Sequence, residues 1–211
     1  MYTYHYMQPE AYRFSLDSVR FAEFVAGELS ARPDLSQVKV LDLCAGCGVI
    51  GFELTWHLRE LRHVDFIEVQ SVYASYFQQN CDIVNRSELQ LQWREMNYEE
   101  LEKPEWRERY DLILCNPPYF MPHQGTLSPS EFKNRCRFYL DSTFDHLIKA
   151  MINALTEEGS AYFLLRSLKQ NGSDLYATLD RLLQCKTVTW NKIASVRGND
   201  IVQLQKQRVV E

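Results

Sequence analysis

The sequence has no apolar run approaching the ~18–20 residues that cross a bilayer. Its start, Met1-Tyr-Thr-Tyr-His-Tyr-Met7, has neither the basic nor the apolar stretch of a secretory signal, so no leader is expected. Positive charge is not in excess: 23 Lys and Arg against 28 Asp and Glu give a net charge of −5. That excludes a broad positive field for holding nucleic acid, but not a local basic patch. The six cysteines lack the short repeated spacings of a disulfide framework, which points to a reducing compartment, the cytoplasm by default. Internal repeats and low-complexity tracts are also absent. With 211 residues, 45% of them hydrophobic and 24% charged, one domain over 1–211 with a sizeable core is expected.

What is present is an alternation of helix and strand patterns. Leu16, Val19, Ala22, Val25 and Leu29 fall near one helical face, with Asp17 in the first turn and Pro33 past the end. Residues 38–43 read as a strand, followed by glycines and a helix to about Arg59. Residues 64–69 are a second strand and 89–93 a third; between them Val72, Tyr76 and Ile83, with Tyr73 and Phe77 beside them, mark a helix. Residues 94–108 hold six Glu against Arg94, Lys103 and Arg107 and read as a solvated face. Residues 112–115 are a buried strand. Phe144, Leu147, Ile148, Met151, Ile152 and Leu155 give the clearest helix, with Ser142 and Asp145 as a capping box and Gly159 as its stop. Residues 161–165 return as a strand, and Leu175, Leu179 and Leu182 mark a helix. Residues 187–193 and 201–205 are two last strands joined through Gly198 and Asn199. Such alternation implies a doubly wound α/β fold, mostly parallel and covered by helices on both faces. Ligands of such sheets sit outside the carboxyl ends of the strands, where strand order reverses.

The first strand runs into Val40-Leu-Asp42-Leu-Cys-Ala45-Gly46-Cys47-Gly48-Val-Ile-Gly51. Glycines between strand and helix let the backbone turn tightly and approach a ligand. Glu68 ends the second strand, 22 positions beyond Gly46, where a carboxylate can accept from two ribose hydroxyls. These features fit a dinucleotide enzyme and a methyltransferase alike. Asp42 separates the two: Asp-x-x-x-Gly-x-Gly resembles motif I of class I S-adenosylmethionine methyltransferases. The resemblance implies a Rossmann-like seven-stranded sheet, S-adenosylmethionine as cofactor, and a role for Asp42 in organising the loop and the methionine end. It further implies that Ala45, Gly46, Cys47 and Gly48 form the cofactor loop, that Val69 lies against the adenine, and that Asn97 stands where the family commonly has an Asp facing the adenine amino group. A redox or metal role for Cys44 and Cys47 lacks a second Cys pair or a close His pair; small side chains filling a crowded loop are the simpler reading.

The fourth strand leads into Asn116-Pro117-Pro118-Tyr119-Phe120. This resembles motif IV of methyltransferases that modify planar amino or amide nitrogens. The lone pair of such a nitrogen is delocalised, so its two N–H groups must be pulled into fixed directions. The Asn116 side-chain oxygen and the Pro117 carbonyl suit that task, and proline removes a competing donor. Orientation then supplies much of the rate. Tyr119 stacks on the planar target. No Asp, Glu or His is needed as a base, because the nitrogen becomes acidic only as the methyl arrives.

Adenine N6, guanine N2 and glutamine amide share this tetrad. Only 37 residues precede Val38, leaving little room for the recognition domain usual in the glutamine enzymes. Residues 8–19, with Phe14 and Asp17, lie in this chain's N-terminal helical entry segment (1–37) and resemble the entry segment of bacterial tRNA (adenine-N6)-methyltransferases, which precedes the first helix and closes over the cofactor. The substrate-side loop 116–140 resembles the same group and carries Phe120, Lys133, Arg135 and Arg137. These bases, and a second basic excess over 186–211, are candidate phosphate contacts of an RNA, tRNA foremost. Tyr2, Tyr4, His5 and Tyr6 are available for stacking or for packing. No metal and no membrane partner are expected. An NAD-dependent oxidoreductase built on the glycines and Glu68 stays open, as does a binding module without turnover; neither explains residues 116–119.

Overall fold

The computed structural model describes residues 3–122, 124–166, 174–184 and 187–207. Seven strands form one sheet in the order β3-β2-β1-β4-β5-β7-β6. They are β1 (Lys39–Leu43), β2 (His63–Glu68), β3 (Gln90–Glu95), β4 (Tyr110–Cys115), β5 (Leu155–Leu165), β6 (Val188–Val196) and β7 (Asn199–Lys206). The first five pair in parallel, while β7 runs antiparallel to both β5 and β6. This is the doubly wound, Rossmann-like α/β sheet expected from the sequence. Strand order reverses between β1 and β4, which places the crevice at their carboxyl ends.

Alternation along the strands divides the core in two. Val40, Val64, Phe66, Leu112 and Leu114 face α1 (Leu16–Leu29), α2 (Val49–His57) and α3 (Ala74–Val84). Leu41, Leu43, Ile67 and Ile113 face α5 (Phe144–Ala154) and α6 (Leu175–Leu183). The short α4 (Glu131–Arg137) lies in the loop after β4. Both sheet faces are thus covered, as buried parallel strands require.

Four local expectations need correction. In α3 the inward stripe is Phe77, Asn80 and Val84, continuing Tyr73, whereas Val72 and Ile83 are exposed. Phe77 sets this rotation, because its ring is clustered with Phe52, Phe66 and Trp93 at centroid distances of 5.5, 4.7 and 4.9 Å. The cap of α5 is Thr143, which accepts from the His146 N–H at 3.3 Å; Ser142 turns instead to Glu99. The helix stops at Ala154, and Gly159 falls within β5, beside the register shift between Tyr110 and Leu112. The acidic segment after β3 is also not uniformly solvated: its 3-10 turn (Tyr98–Glu102) buries Tyr98 and Leu101, and Glu102 meets His146 at 2.5 Å.

The β6–β7 connection forms as its glycine suggests. Arg197 and Gly198, with φ of 50° and 87°, make a two-residue turn with Val196 opposite Asn199. Among the described residues, no helix is long and apolar enough to cross a membrane.

Candidate functional site

The turn between β1 and α2 is built on left-handed backbone. Cys44, Gly46 and Gly48 have φ of 58°, 54° and 87°, and Gly48 stands at the N-terminus of α2. Asp42 anchors this turn from below. It is fully buried, and its Oδ2 accepts from the Gly51 N–H at 2.8 Å, one of the donors that the first turn of a helix leaves unpaired. Its Oδ1 is buried without a hydrogen-bond partner among the described residues. Burial pushes the Asp42 carboxyl well above the usual range, against the pull of the Gly51 N–H. Glu68 holds the turn from the side: Oε2 accepts from the Gly46 N–H at 2.9 Å and Oε1 from the Gln70 N–H at 3.0 Å. Burial raises its pKa too. Each oxygen keeps a second lone pair, and the carboxylate borders the crevice.

The N-terminal segment is fastened over this turn by two fully buried polar residues. Glu53 accepts from Thr3 and from the Tyr6 hydroxyl, the latter at 2.8 Å. Asn80 exchanges hydrogen bonds with the Met7 backbone and donates to the Cys47 carbonyl at 3.0 Å. Tyr4 packs on Trp56, and Tyr6 on Phe14 and Phe52, so both tyrosines serve packing. His5 is exposed, and Tyr2 lies outside the described residues.

The cavity at the strand ends has a volume of about 160 Å³. It brings together Phe14, Ala45, Gly46, Cys47, Glu68, Val69 and Asn97 on one side with Asn116, Pro117, Pro118 and Tyr119 on the other. Asn116 donates through Nδ2 to Ser18 Oγ at 3.1 Å and accepts at Oδ1 from the Tyr119 hydroxyl at 2.6 Å. Asn97 lines the wall, but its Oδ1 accepts from the Glu99 N–H at 3.0 Å and its Nδ2 donates to the Asp141 carbonyl at 2.8 Å. The paired carboxylate, the glycine turn and the apolar Val69 make a cradle suited to a nucleoside-bearing cofactor.

Other expected residues stand outside the lining. Asp42 and Gly48 shape the turn from behind it. Asp17 ties α1 to the β6–β7 turn, accepting from Asn199 Nδ2 at 2.9 Å and standing 2.8 Å from Arg197 Nε. Phe120, Lys133 and Arg137 lie beyond the mouth, whereas Arg135 borders the cavity but is engaged by Asp141 at 2.8 Å. The basic excess at the C-terminal end is largely neutralised: Lys192 meets Asp200, Arg197 meets Asp17, and Lys206 meets Glu108. Lys186 and Arg208 lie outside the described residues. Cys44 packs against one core cluster and Cys47 lies in the other, and burial pushes the Cys47 thiol up to about 12, which disfavours its thiolate. Among the described residues, no group of three or more His, Cys, Asp or Glu could hold a metal ion.

The sequence reading missed Tyr12, Arg13, Ser18, Gln70, Tyr73 and residues 138–142 in the lining. Gln70 and Tyr73 directly follow Glu68, so their position in the chain was a usable signal. Residues 138–142 arrive only because α4 folds the loop back, with the Tyr119 and Phe120 N–H groups both donating to the Arg137 carbonyl at 3.0 Å.

The chain is 28% identical over 141 residues to the tRNA1(Val) (adenine(37)-N6)-methyltransferase of Shigella sonnei, which covers 64% of this chain and 53% of the relative. It thus spans about half the length of the curated relatives it matches. In fold it is similar to the ribosomal protein L11 methylase of Lactobacillus delbrueckii subsp. bulgaricus, with a TM-score of 0.61, 11% identity, and coverage of 93% of this chain and 81% of that one. It is likewise similar to the magnesium protoporphyrin IX methyltransferase of Synechocystis, solved with bound S-adenosylmethionine, with a TM-score of 0.62, 13% identity, and coverage of 91% and 81%. Residues 5–128, more than half of the sequence, match the family described as Conserved hypothetical protein 95, and the chain belongs to that family.

Proposed function

We propose that the chain is an S-adenosylmethionine-dependent N-methyltransferase that acts on a planar amino nitrogen, with adenine N6 of a tRNA as the target. The observation that carries this reading is the meeting, in one cavity, of Gly46 and Glu68 with Asn116, Pro117 and Tyr119. S-adenosylmethionine, when bound, supplies a methyl group on a sulfonium that needs no further activation. Glu68 accepts from the ribose hydroxyls through its free lone pairs, Val69 lies against the adenine, and the buried Asp42 holds the turn in shape. Phe14 closes the cavity from the N-terminal side.

On the substrate side, Asn116 Oδ1 and the Pro117 carbonyl accept the two N–H bonds of the target amine. Tyr119 holds the face of the ring. Ser18 fixes the Asn116 amide so that its oxygen points inward. These groups hold and orient the nitrogen, and its proton leaves only after the methyl is attached. The 28%-identical relative favours adenine in tRNA over guanine N2 or a glutamine amide, and the same reading puts the chain in the cytoplasm. An NAD-dependent oxidoreductase leaves residues 116–119 without a task.

The test is tritium transfer from labelled S-adenosylmethionine to tRNA, ribosomal RNA, DNA and release factor, with nucleoside analysis of the product. Label at N6-methyladenosine in tRNA is the expected result. Label in the release factor alone shifts the target to glutamine. Thermal stabilisation by NAD but not by S-adenosylmethionine removes the proposal.

A further inference from the structure

Just outside the cavity, Phe120 is held from three sides. Its N–H, like that of Tyr119, donates to the Arg137 carbonyl at 3.0 Å, and its carbonyl accepts from the Tyr139 N–H at 2.9 Å. The nearly buried Phe138 packs on its ring at a centroid distance of 5.5 Å. The guanidinium carbons of Arg137 and Arg166 lie 5.5 and 5.9 Å from the ring centroid. Arg166 directly follows β5, and Phe120, on whose ring both guanidiniums lie, adjoins Tyr119 of the cavity wall. Both guanidiniums therefore stand at the rim of the cavity.

Among the described residues, neither guanidinium has an ion pair or a side-chain hydrogen bond. By contrast, Arg135, Lys192, Arg197 and Lys206 each meet a carboxylate. A carboxylate neutralises a guanidinium and occupies its N–H groups. An aromatic ring holds it in place and leaves those groups free for an anion. In a chain of net charge −5, two uncommitted cations on one anchored ring mark a local anion-binding spot.

We infer that Phe120, Arg137 and Arg166 form a docking surface for the sugar–phosphate backbone of a single-stranded RNA loop, gripping the strand beside the nucleotide turned into the cavity. The inference rests on the methyltransferase reading and adds to it the residues that make the substrate a polynucleotide. A loop suits the surface because its bases splay out at low cost and its backbone is free to follow two cations around one ring.

The test compares wild type, Arg166→Gln, the double variant Arg137→Gln/Arg166→Gln, and Lys149→Gln at an exposed position of α5. The probe is an RNA stem-loop with an adenine in the loop, followed by anisotropy across a salt series and by methyl transfer. The double variant should raise KM for the stem-loop at least tenfold, with kcat within about twofold and S-adenosylmethionine affinity unchanged. Its log affinity against log salt should flatten by about 1.4, two phosphates at ~0.7 each. Arg166→Gln should give about half that change, and Lys149→Gln none. A double variant that matches wild type in KM and salt slope overturns the docking surface while leaving the methyltransferase reading intact. Wild type that labels a release-factor peptide but no RNA overturns the tRNA target and the surface together.

Discussion

The Tyr119 hydroxyl donates to Asn116 Oδ1 at 2.6 Å, so one of the two lone pairs of the oxygen meant for an incoming amine is taken by a neighbour three residues along. The phenol is half-buried, and that burial raises its pKa, which keeps it a donor. An arriving amine must share that oxygen with the phenol or displace it. Tyr119→Phe retains the stacking face and removes the competitor. One neutral hydrogen bond is worth about 1 kcal/mol, or about fivefold in affinity. Steady-state kinetics should therefore show KM for the acceptor falling by up to about fivefold, with kcat within about twofold. A rise in KM would mean that the hydroxyl serves the substrate and does not compete with it.

Asn116→Ala removes one of the two acceptors on which orientation depends. Methyl transfer should drop at least about a hundredfold, the scale of losing one positioned polar group, while S-adenosylmethionine affinity stays within a few-fold. Asp42→Ala should do the reverse, weakening cofactor affinity in calorimetry. Turnover that survives Asn116→Ala would remove the proposed chemistry.

Asp42 gives the stability a definite pH dependence. Its carboxyl is raised by burial, so the folded chain holds that proton more tightly than the unfolded chain. The resulting stabilisation is complete below the ordinary carboxylate value of about 4 and is lost as pH rises through the raised value. Asp42→Asn keeps an acceptor for the Gly51 N–H and carries no charge. Its melting temperature, relative to wild type, should climb from pH 4 to pH 8. Glu68 is shifted in the same direction and leaves part of the slope in the variant. An offset that does not change with pH would contradict the buried, raised carboxyl.

Two glycines should respond oppositely to alanine. At Gly51 an added Cβ would stand 2.5 Å from Phe66 Cε1, in a ring cluster with no free space. Overpacking of this kind costs about 1–3 kcal/mol, and the melting temperature should fall by several degrees. At Gly27, on the exposed side of α1, nothing lies within 4 Å, so Gly27→Ala should stabilise by about 0.5–1 kcal/mol through helix propensity. Calorimetric scans of the two variants check both signs.

The elements with strong periodicity were readable from sequence: α1, α6 and six of the seven strands lie within a few residues of expectation, whereas β5 begins at Leu155, where the helix was expected to continue. The glycine turn and the Asn-Pro-Pro-Tyr turn fall where the pattern put them, because strand ends are set by local chemistry. The face of α3 was not readable, since Val72 and Ile83 are as apolar as the residues that pack. Only the ring cluster around Phe77 decides between them. The cap of α5 was missed because Ser142 and Thr143 are equally able caps, and Glu99, distant in sequence, takes the serine. The basic residues were the hardest. Charge counts show Arg135 and Arg137 as alike, yet Asp141 neutralises one and Phe120 carries the other.

The tie between Asp17 and Asn199 spans 182 positions. The helix that borders the cavity is thus secured by β7, a strand far from it in sequence. Nascent chains halted before β7 would have the glycine turn and the tetrad in place, yet would lack the latch on α1. The seating of α1 beside the cavity should therefore wait until the β6–β7 hairpin has formed and docked onto it.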